Sequence, residues 1–340
     1  MTNDLRVGIV GAGLMGADHV SRVTHRISGA VVSAVIEPDE QRGLAAVAGA
    51  PGARLFARLE DALDAGAVDA ALVATPGRFH EQVLRPALAA RLPVLCEKPL
   101  TPDSASSAAV LEREQELDKP HIQVGFMRRF DREYAELRGL VAGGGAGELL
   151  ILHCAHRNPQ APADGYTQDM LINDSVVHEF DIVPWVAGSP IVAVDVRYGR
   201  RNSLSPAHLR EPIVVLMELA NGVLAEVEMN VSAQFGYQVT TEAVFERGIA
   251  RIGQPAGLQL WAEGRMAVGE HAGFATRFAD AFDAQVQRWV DAVRDGRLVD
   301  GPNAWDGYRV ALACEAGLKA LHTGARVEVP NAPRPPFYGG

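Results

Sequence analysis

The stretch LRVGIVGAGLMGADHV, residues 5–20, decides the fold. Its first six residues are apolar except Arg6, the pattern of a strand buried on both faces. It runs into Gly11-Ala12-Gly13-Leu14-Met15-Gly16, a G-x-G-x-x-G, and on into residues with helical spacing. In a chain with 34 glycines the motif alone is weak. A strand before it and a helix after it make it specific. Gly11 permits the tight turn, Gly13 leaves room for a pyrophosphate, and Gly16 lets helix and strand pack closely. Leu14 and Met15 complete the loop. The helix N-terminus then presents unpaired N–H groups to phosphates. The next strand, AVVSAVIE (30–37), ends in Glu37, 21 residues beyond Gly16. A carboxylate there accepts from ribose hydroxyls and repels a 2′-phosphate, which predicts NAD rather than NADP.

Outward from this unit, short apolar runs alternate with helical stretches to about residue 125. DAALVAT (69–75), PVLCE (93–97) and HIQVGF (121–126) read as further strands, with helices such as HEQVLRPALAAR between them. That alternation predicts a parallel sheet covered on both faces. The pattern changes after about residue 146. ELLILHCAHRN (148–158) reads as a long strand. IVVLMELANGVLAEVEMNV (213–231) reads as two strands joined at Asn221-Gly222, expected as a type I′ turn. Further turns are expected at Arg247-Gly248 and near Glu263-Gly264, with helices at 174–187, roughly 276–295 and roughly 303–323. The expected organisation is an α/β Rossmann domain over residues 1–125. An α+β domain with a large open, mainly antiparallel sheet follows over 126–340, for substrate binding and oligomerisation. The tail PNAPRPPFYGG (330–340) reads as an extended arm.

A hydrophobic content of 48% and a charged content of 22% are those of a globular protein. The formal net charge of −10, without a basic cluster, argues against nucleic acid or an anionic membrane as partner. No apolar run approaches the ~20 residues of a membrane helix, and the N-terminus lacks signal-peptide features. Cys96, Cys154 and Cys314 are odd in number and far apart. That fits a reducing compartment, and the cytoplasm is the expected location.

VLCEKPL (94–100) ends a strand with Glu97-Lys98-Pro99. Ligands of open α/β sheets lie outside the carboxyl ends of the strands, which places Lys98 beside the nicotinamide end of the cofactor. A cis Lys98–Pro99 bond is compatible with this. An ordinary surface lysine is the alternative at this point. Thr75, Pro76 and His80, at and beyond the end of the strand at 69–75, and Glu97 complete the expected cofactor set.

NDSVVHEFD (173–181) reads as helix. Val176, Val177, Phe180 and Val183 point one way; Asp174, His178 and Asp181 recur at i, i+4 and i+7 on the other. Glu179 falls off that face as an ordinary helix carboxylate, and Pro184 is expected to end or kink the helix. The spacing alone fits a solvated face equally well.

G-x-G-x-x-G at 11–16, E-K-P at 97–99 and D-x-x-x-H at 174–178 together resemble the Gfo/Idh/MocA family of NAD(P)-dependent oxidoreductases. CEKPL (96–100), QVGFMRRFD (123–131), HCAHRNP (153–159), YTQDM (166–170) and GPNAWDGY (301–308) are similar to its inositol-oxidising branch, and the likeness covers nearly the whole chain. It implies two domains, NAD-dependent oxidation of myo-inositol to 2-keto-myo-inositol (scyllo-inosose), and a homotetramer. It also implies Lys98, Asp174 and His178 as the catalytic group. Arg128, His156, Asn158 and Tyr237 become substrate contacts, with Asp181 within reach.

The chemistry agrees. Oxidising a secondary alcohol sends a hydride to the cofactor and a proton to a base near neutrality, which favours histidine. His178 is the expected base, Asp174 its orienting carboxylate, and Lys98 a donor to the substrate oxygen. In two places the chain departs from the branch: Gln238 stands where an acid is common, and Glu37 where Asp is usual. Scyllo-inositol, an aminocyclitol or a pyranose such as glucose are the alternative substrates. No metal is expected, because His153, His156, Asp174 and His178 lack ligand spacing. A non-enzymatic NAD-binding regulator would have no need of Lys98, Asp174 and His178 together.

Overall fold

The computed structural model describes residues 4–161, 165–255, 257–297 and 301–339. Two compact units emerge from the pattern of contacts.

The first unit holds residues 1–127, 282–311 and 332–340. Its sheet has six parallel strands: β1 (Leu5–Val10), β2 (Ala30–Ile36), β3 (Arg54–Phe56), β4 (Ala70–Val73), β5 (Val94–Glu97) and β6 (Ile122–Gly125). They lie in the order β3-β2-β1-β4-β5-β6, the doubly wound arrangement whose direction reverses between β1 and β4. The apolar residues of β1 and β4 are buried on both faces, as their unbroken apolar runs require. Edge strand β3 has three residues, too few to show a period.

Val286, Trp289 and Val290 join this core. The expected boundary gave everything after residue 125 to the second domain. The chain instead returns to the first unit at Phe282, because the apolar stripe beginning there is buried against the nucleotide-type sheet. The C-terminal segment is not a free arm either. Tyr338 is buried and donates its hydroxyl to Glu114 Oε2 at 2.8 Å. Gly340, the end of that arm, lies outside the described residues.

The second unit holds residues 128–281 and 312–331. Its main sheet comprises β7 (Leu149–Arg157), β8 (Ile191–Tyr198), β9 (Ile213–Leu219), β10 (Leu224–Asn230), β11 (Gln238–Phe245), β12 (Gly248–Ile252) and, after β13 (Gln259–Ala262) and β14 (Arg265–Val268), β15 (Val327–Glu328). The order is β12-β11-β7-β10-β9-β8-β15. Every pair is antiparallel except β7 and β10, which run parallel in the middle. Buried and part-exposed residues alternate along β9 and β11, the mark of a sheet covered on one face. The open face carries cross-strand charge pairs: Arg157 with Glu228, His153 with Glu226, and Arg251 with Glu242.

The turn at Asn221-Gly222 differs from expectation. Only Gly222 has positive φ, +87°. The loop spans three residues, with Gly222 N–H donating to Leu219 O at 2.9 Å. Asn221 uses its side chain to accept from Val223 N–H at 3.3 Å rather than entering the left-handed region. Glu263 and Gly264, by contrast, both take positive φ, +50° and +71°. They join β13 (Gln259–Ala262) to β14 (Arg265–Val268), which form a separate two-stranded sheet. Among the described residues no helix is long and apolar enough to cross a membrane.

Candidate active site

The glycine loop fits a dinucleotide. Gly11 has φ +90°, and a Cβ on it would lie 2.9 Å from Thr75 N. A Cβ on Gly16 would stand 1.9 Å from Gly11 O, while one on Gly13 would meet nothing within 4 Å. Helix α1 (Leu14–His25) begins at Gly13 without a side-chain cap and without an acid in its first turn. The helices that start at Glu40, Ser104 and Arg132 are capped by Asp39, Asp103 and Asp131. The first N–H groups of α1 are thus left for an anion. Leu14 is 80% exposed beside them, and Met15 is half-buried. Glu37, just past β2, is buried; its Oε2 accepts Ala12 N–H at 2.8 Å and its Oε1 accepts Asp39 N–H at 3.1 Å. The carboxylate is pinned to the glycine loop and retains lone pairs for a ribose.

Lys98 is half-buried at the end of β5, before a cis bond to Pro99. Glu97 is buried; its Oε1 lies 2.8 Å from His19 Nε2 and its Oε2 accepts Lys98 N–H at 3.3 Å. His19 therefore ties α1 to the end of β5. Its only sequence signal was a place on the buried stripe of α1, with Gly16, Val20 and Val23.

His80 needs correction as a cofactor contact. It is fully buried, with Nδ1 2.7 Å from Pro99 O and Nε2 2.8 Å from Thr75 O. Both ring nitrogens lie against backbone carbonyls, with Cys96 Sγ also 3.3 Å from Nδ1, so the buried ring is enclosed between two loops rather than presented to a ligand. Burial depresses its pKa, because the charged form loses its hydration. Thr75 Oγ1 is buried without a hydrogen-bond partner. Pro76 is exposed at the start of the turn Gly77–Phe79.

In the second unit NDSVVHEFD folds as two kinds of helix. Leu171–Val176 is a π-helical turn and Val177–Ala187 is α-helical. Such π turns recur at functional sites. Asp174 lies in the π turn and His178 in the first α turn, both half-buried. The His178 ring has the His156 ring as neighbour, with centroids 6.3 Å apart. His156, on β7, is edge-on to Tyr237 at 6.1 Å. Asn158, two residues on, keeps a buried Oδ1 without a hydrogen-bond partner. Burial pushes the Tyr237 phenol up to about 12, so it stays protonated and able to donate. Gln238 alternates away from Tyr237 along the strand. It accepts from Arg157 Nη1 at 2.9 Å and donates to Glu270 Oε2 at 2.8 Å.

Three residues differ from their expected roles. Glu179 is no surface acid: it is 1% exposed and ion-paired with Arg128. Burial by itself would raise its pKa; the charge of Arg128, together with hydrogen bonds from Arg128 and His156, outweighs this and holds it at about 2. Arg128, expected on the substrate, is equally buried, with Nη1 on Glu179 and Nη2 3.2 Å from His156 Nδ1. Asp181, expected beside Asp174 and His178, is 1% exposed and takes Arg129 Nε at 3.0 Å on each oxygen. The π turn explains the difference, since its wider winding breaks the α-helical phase that put residues 174 and 181 on one face. Pro184 does not end the helix, which continues to Ala187 and closes on left-handed Gly188, φ +62°. The two consecutive arginines grip acids two positions apart, about 200° around an α-helix. They therefore fix the rotation of the helix that carries His178.

A parallel sheet with an anion-ready glycine loop, in a chain that also holds a histidine pair beside a phenol, defines a dinucleotide-dependent oxidoreductase. Residues 5–126 match the oxidoreductase family with an NAD-binding Rossmann fold, and residues 134–251 match the GFO/IDH/MocA C-terminal domain. The chain belongs to the GFO/IDH/MocA family of NAD-binding oxidoreductases. It is 66% identical over 337 residues to an inositol 2-dehydrogenase of Leifsonia xyli subsp. xyli, covering 99% of each chain. It is 63% identical over 338 residues to an inositol 2-dehydrogenase of Corynebacterium glutamicum, covering 99% of this chain and 100% of the relative. A similar solved structure is the myo-inositol dehydrogenase of Lactobacillus casei in complex with NAD(H) and myo-inositol. Its TM-score is 0.95 at 28% identity, over 98% of this chain and 99% of that one. Among the described residues no group of three His, Cys, Asp or Glu could hold a metal ion.

Proposed function

We propose that this chain oxidises myo-inositol to 2-keto-myo-inositol with NAD as hydride acceptor. What carries the reading is the presence in one chain of the uncapped glycine-loop helix and of the His156–His178–Tyr237 cluster. Full-length identity to enzymes named inositol 2-dehydrogenase supports it. NAD, when bound, supplies the acceptor for the hydride that leaves the carbinol carbon. The rest falls to side chains. His178 takes the proton of the reacting hydroxyl as its C–H bond breaks and the C=O forms, then releases it to solvent. Asp174 orients the ring and stabilises the imidazolium. Lys98 donates to the substrate oxygen and favours its deprotonation. Asn158 Oδ1 and the Tyr237 hydroxyl hold other ring hydroxyls, an acceptor and a donor respectively. Glu37, pinned by two backbone N–H groups, selects NAD.

We further propose a homotetramer formed through the open sheet face of the second unit, in the cytoplasm. Part-exposed charge pairs on that face and three buried free cysteines support the two readings. Light scattering reads the assembly; a monomer of 36.3 kDa would overturn it. A second substrate, scyllo-inositol, is favoured by the likeness to a scyllo-inositol dehydrogenase of Lactobacillus casei with bound NAD(H) and scyllo-inositol, TM-score 0.86 at 25% identity. The test is NADH formation with a panel of inositol isomers, inosamines and aldoses. Myo-inositol should have the highest kcat/KM. An aldose that outruns every cyclitol would overturn the proposal.

A further inference from the structure

We propose that Glu179 is a positioning residue. Held by Arg128, it accepts the Nδ1–H of His156 and so leaves the Nε2 lone pair of that ring to receive a substrate hydroxyl. The identity of that hydroxyl rests on the cyclitol reading; the state of the ring does not.

Every donor and acceptor of Glu179, and the Nδ1 edge of His156, is withdrawn from bulk water and must be satisfied within the protein. Glu179 and His156 are 1% and 3% exposed. Glu179 Oε1 is taken by Arg128 Nη1. Glu179 Oε2 has one candidate donor among the described residues, His156 Nδ1 at 3.2 Å. The same nitrogen lies 3.1 Å from Oε1. Were Nδ1 bare, its lone pair would face both carboxylate oxygens, and a buried charged acceptor would lack a donor. Arg128 Nη2 also approaches Nδ1, at 3.2 Å. That guanidinium already has Glu179 Oε1 as its acceptor through Nη1, whereas Glu179 Oε2 has no other donor among the described residues. Arg128 already cancels the charge of Glu179, so a neutral His156 ring satisfies the site. A doubly protonated ring would bury an uncompensated positive charge.

With the proton fixed on Nδ1, Nε2 is an acceptor. No protein group among the described residues hydrogen-bonds it, and the ring's other neighbours are the rings of His178 and Tyr237. Tyr237 donates, and a polyol presents hydroxyls that must also give their protons somewhere. An acceptor two residues before Asn158, which directly follows β7, meets that need. The opposite tautomer would turn the same nitrogen into a donor and reject that hydroxyl. Fixing a ring's tautomer through its far nitrogen is the logic by which outer carboxylates orient histidines at other sites.

The test is long-range ¹⁵N–¹H correlation spectroscopy of the full chain labelled at its ten histidines. The His156 signals are assigned by their loss in His156→Gln. Neutral His156 should show the Nδ1–H pattern in the wild type. In Glu179→Gln it should shift toward Nε2–H, with KM for myo-inositol raised ~10-fold or more and KM for NAD little changed. A wild-type Nε2–H ring, or a tautomer untouched by Glu179→Gln, overturns the proposal. If Glu179→Gln does not fold, the wild-type spectrum decides by itself. The Nδ1–H pattern in a chain that oxidises no polyol supports the role of Glu179 and overturns the cyclitol reading alone.

Discussion

Replacing Glu179 by Gln should remove a calculable part of the acid dependence of stability. The folded protein holds this carboxyl at about 2 against an ordinary 4.5, a gap worth about 3 kcal/mol. The folded value is depressed. The contribution is therefore fully present above the unfolded value of 4.5 and is lost as pH falls through the window down to about 2. About 0.8 kcal/mol of it is gone at pH 4, and about 2 kcal/mol at pH 3. The variant lacks the titrating group and leaves Arg128 buried without its counter-charge. It should thus be less stable at neutral pH by ~3–5 kcal/mol, the usual size for a broken buried pair. The assay is urea unfolding of both proteins followed by circular dichroism, at one protein concentration and at pH 7, 4 and 3. Subtracting the variant from the wild type cancels the other carboxylates. The gap should narrow by about 2 kcal/mol between pH 7 and pH 3. A gap that stays constant with pH would refute the charge assignment of the Arg128–Glu179 pair.

The other predictions concern the loop, the base and the helix clamp. His178→Ala should lower kcat by ~10²–10⁴, the usual contribution of a general base, with NADH affinity by fluorescence unchanged; a near-wild-type kcat removes His178 from that role. Gly13→Ala should keep the wild-type Tm yet bind NAD more weakly, because its Cβ meets no protein atom. Gly16→Ala should lower Tm, since its Cβ would stand 1.9 Å from Gly11 O; equal melting temperatures for the two would contradict this packing. Arg129→Met should cost ~3–5 kcal/mol by leaving Asp181 charged and buried. Asp181→Asn should cost less, because the side chain of Arg129 is 12% exposed against 1% for that of Asp181 and can turn to water. Denaturant titration gives the order, and a reversed order would sink the argument.

Much of the first unit was legible residue by residue. Gly11, Gly13, Gly16 and Glu37 are constrained by turn geometry and by a neighbouring strand end, and such constraints leave local marks. Strand β3 was not legible, because three residues carry no period. His80 was misread because a histidine past a strand end looks like a ligand contact. Only the carbonyls of Thr75 and Pro99, brought to its two nitrogens by the fold, reveal it as a brace. The return of the chain at Phe282 was missed because an amphipathic helix shows that it has an apolar stripe, not which sheet will cover it.

By itself the sequence determined the nucleotide fold, the choice of NAD, and the candidates Lys98, Asp174 and His178. The fold and the cofactor rest on residue types at short, stereochemically required spacings, whereas the three candidates stand out only through the family resemblance, because the spacing of Asp174 and His178 fits a solvated face equally well. The tertiary structure alone decided the parts played by the acids of NDSVVHEFD. Their assignment depends on a π turn that shifts the helical phase. It depends also on Arg128, 51 residues from Glu179, and Arg129, 52 residues from Asp181. A buried charge must find its counter-charge wherever the fold puts it, and no local period records where that is.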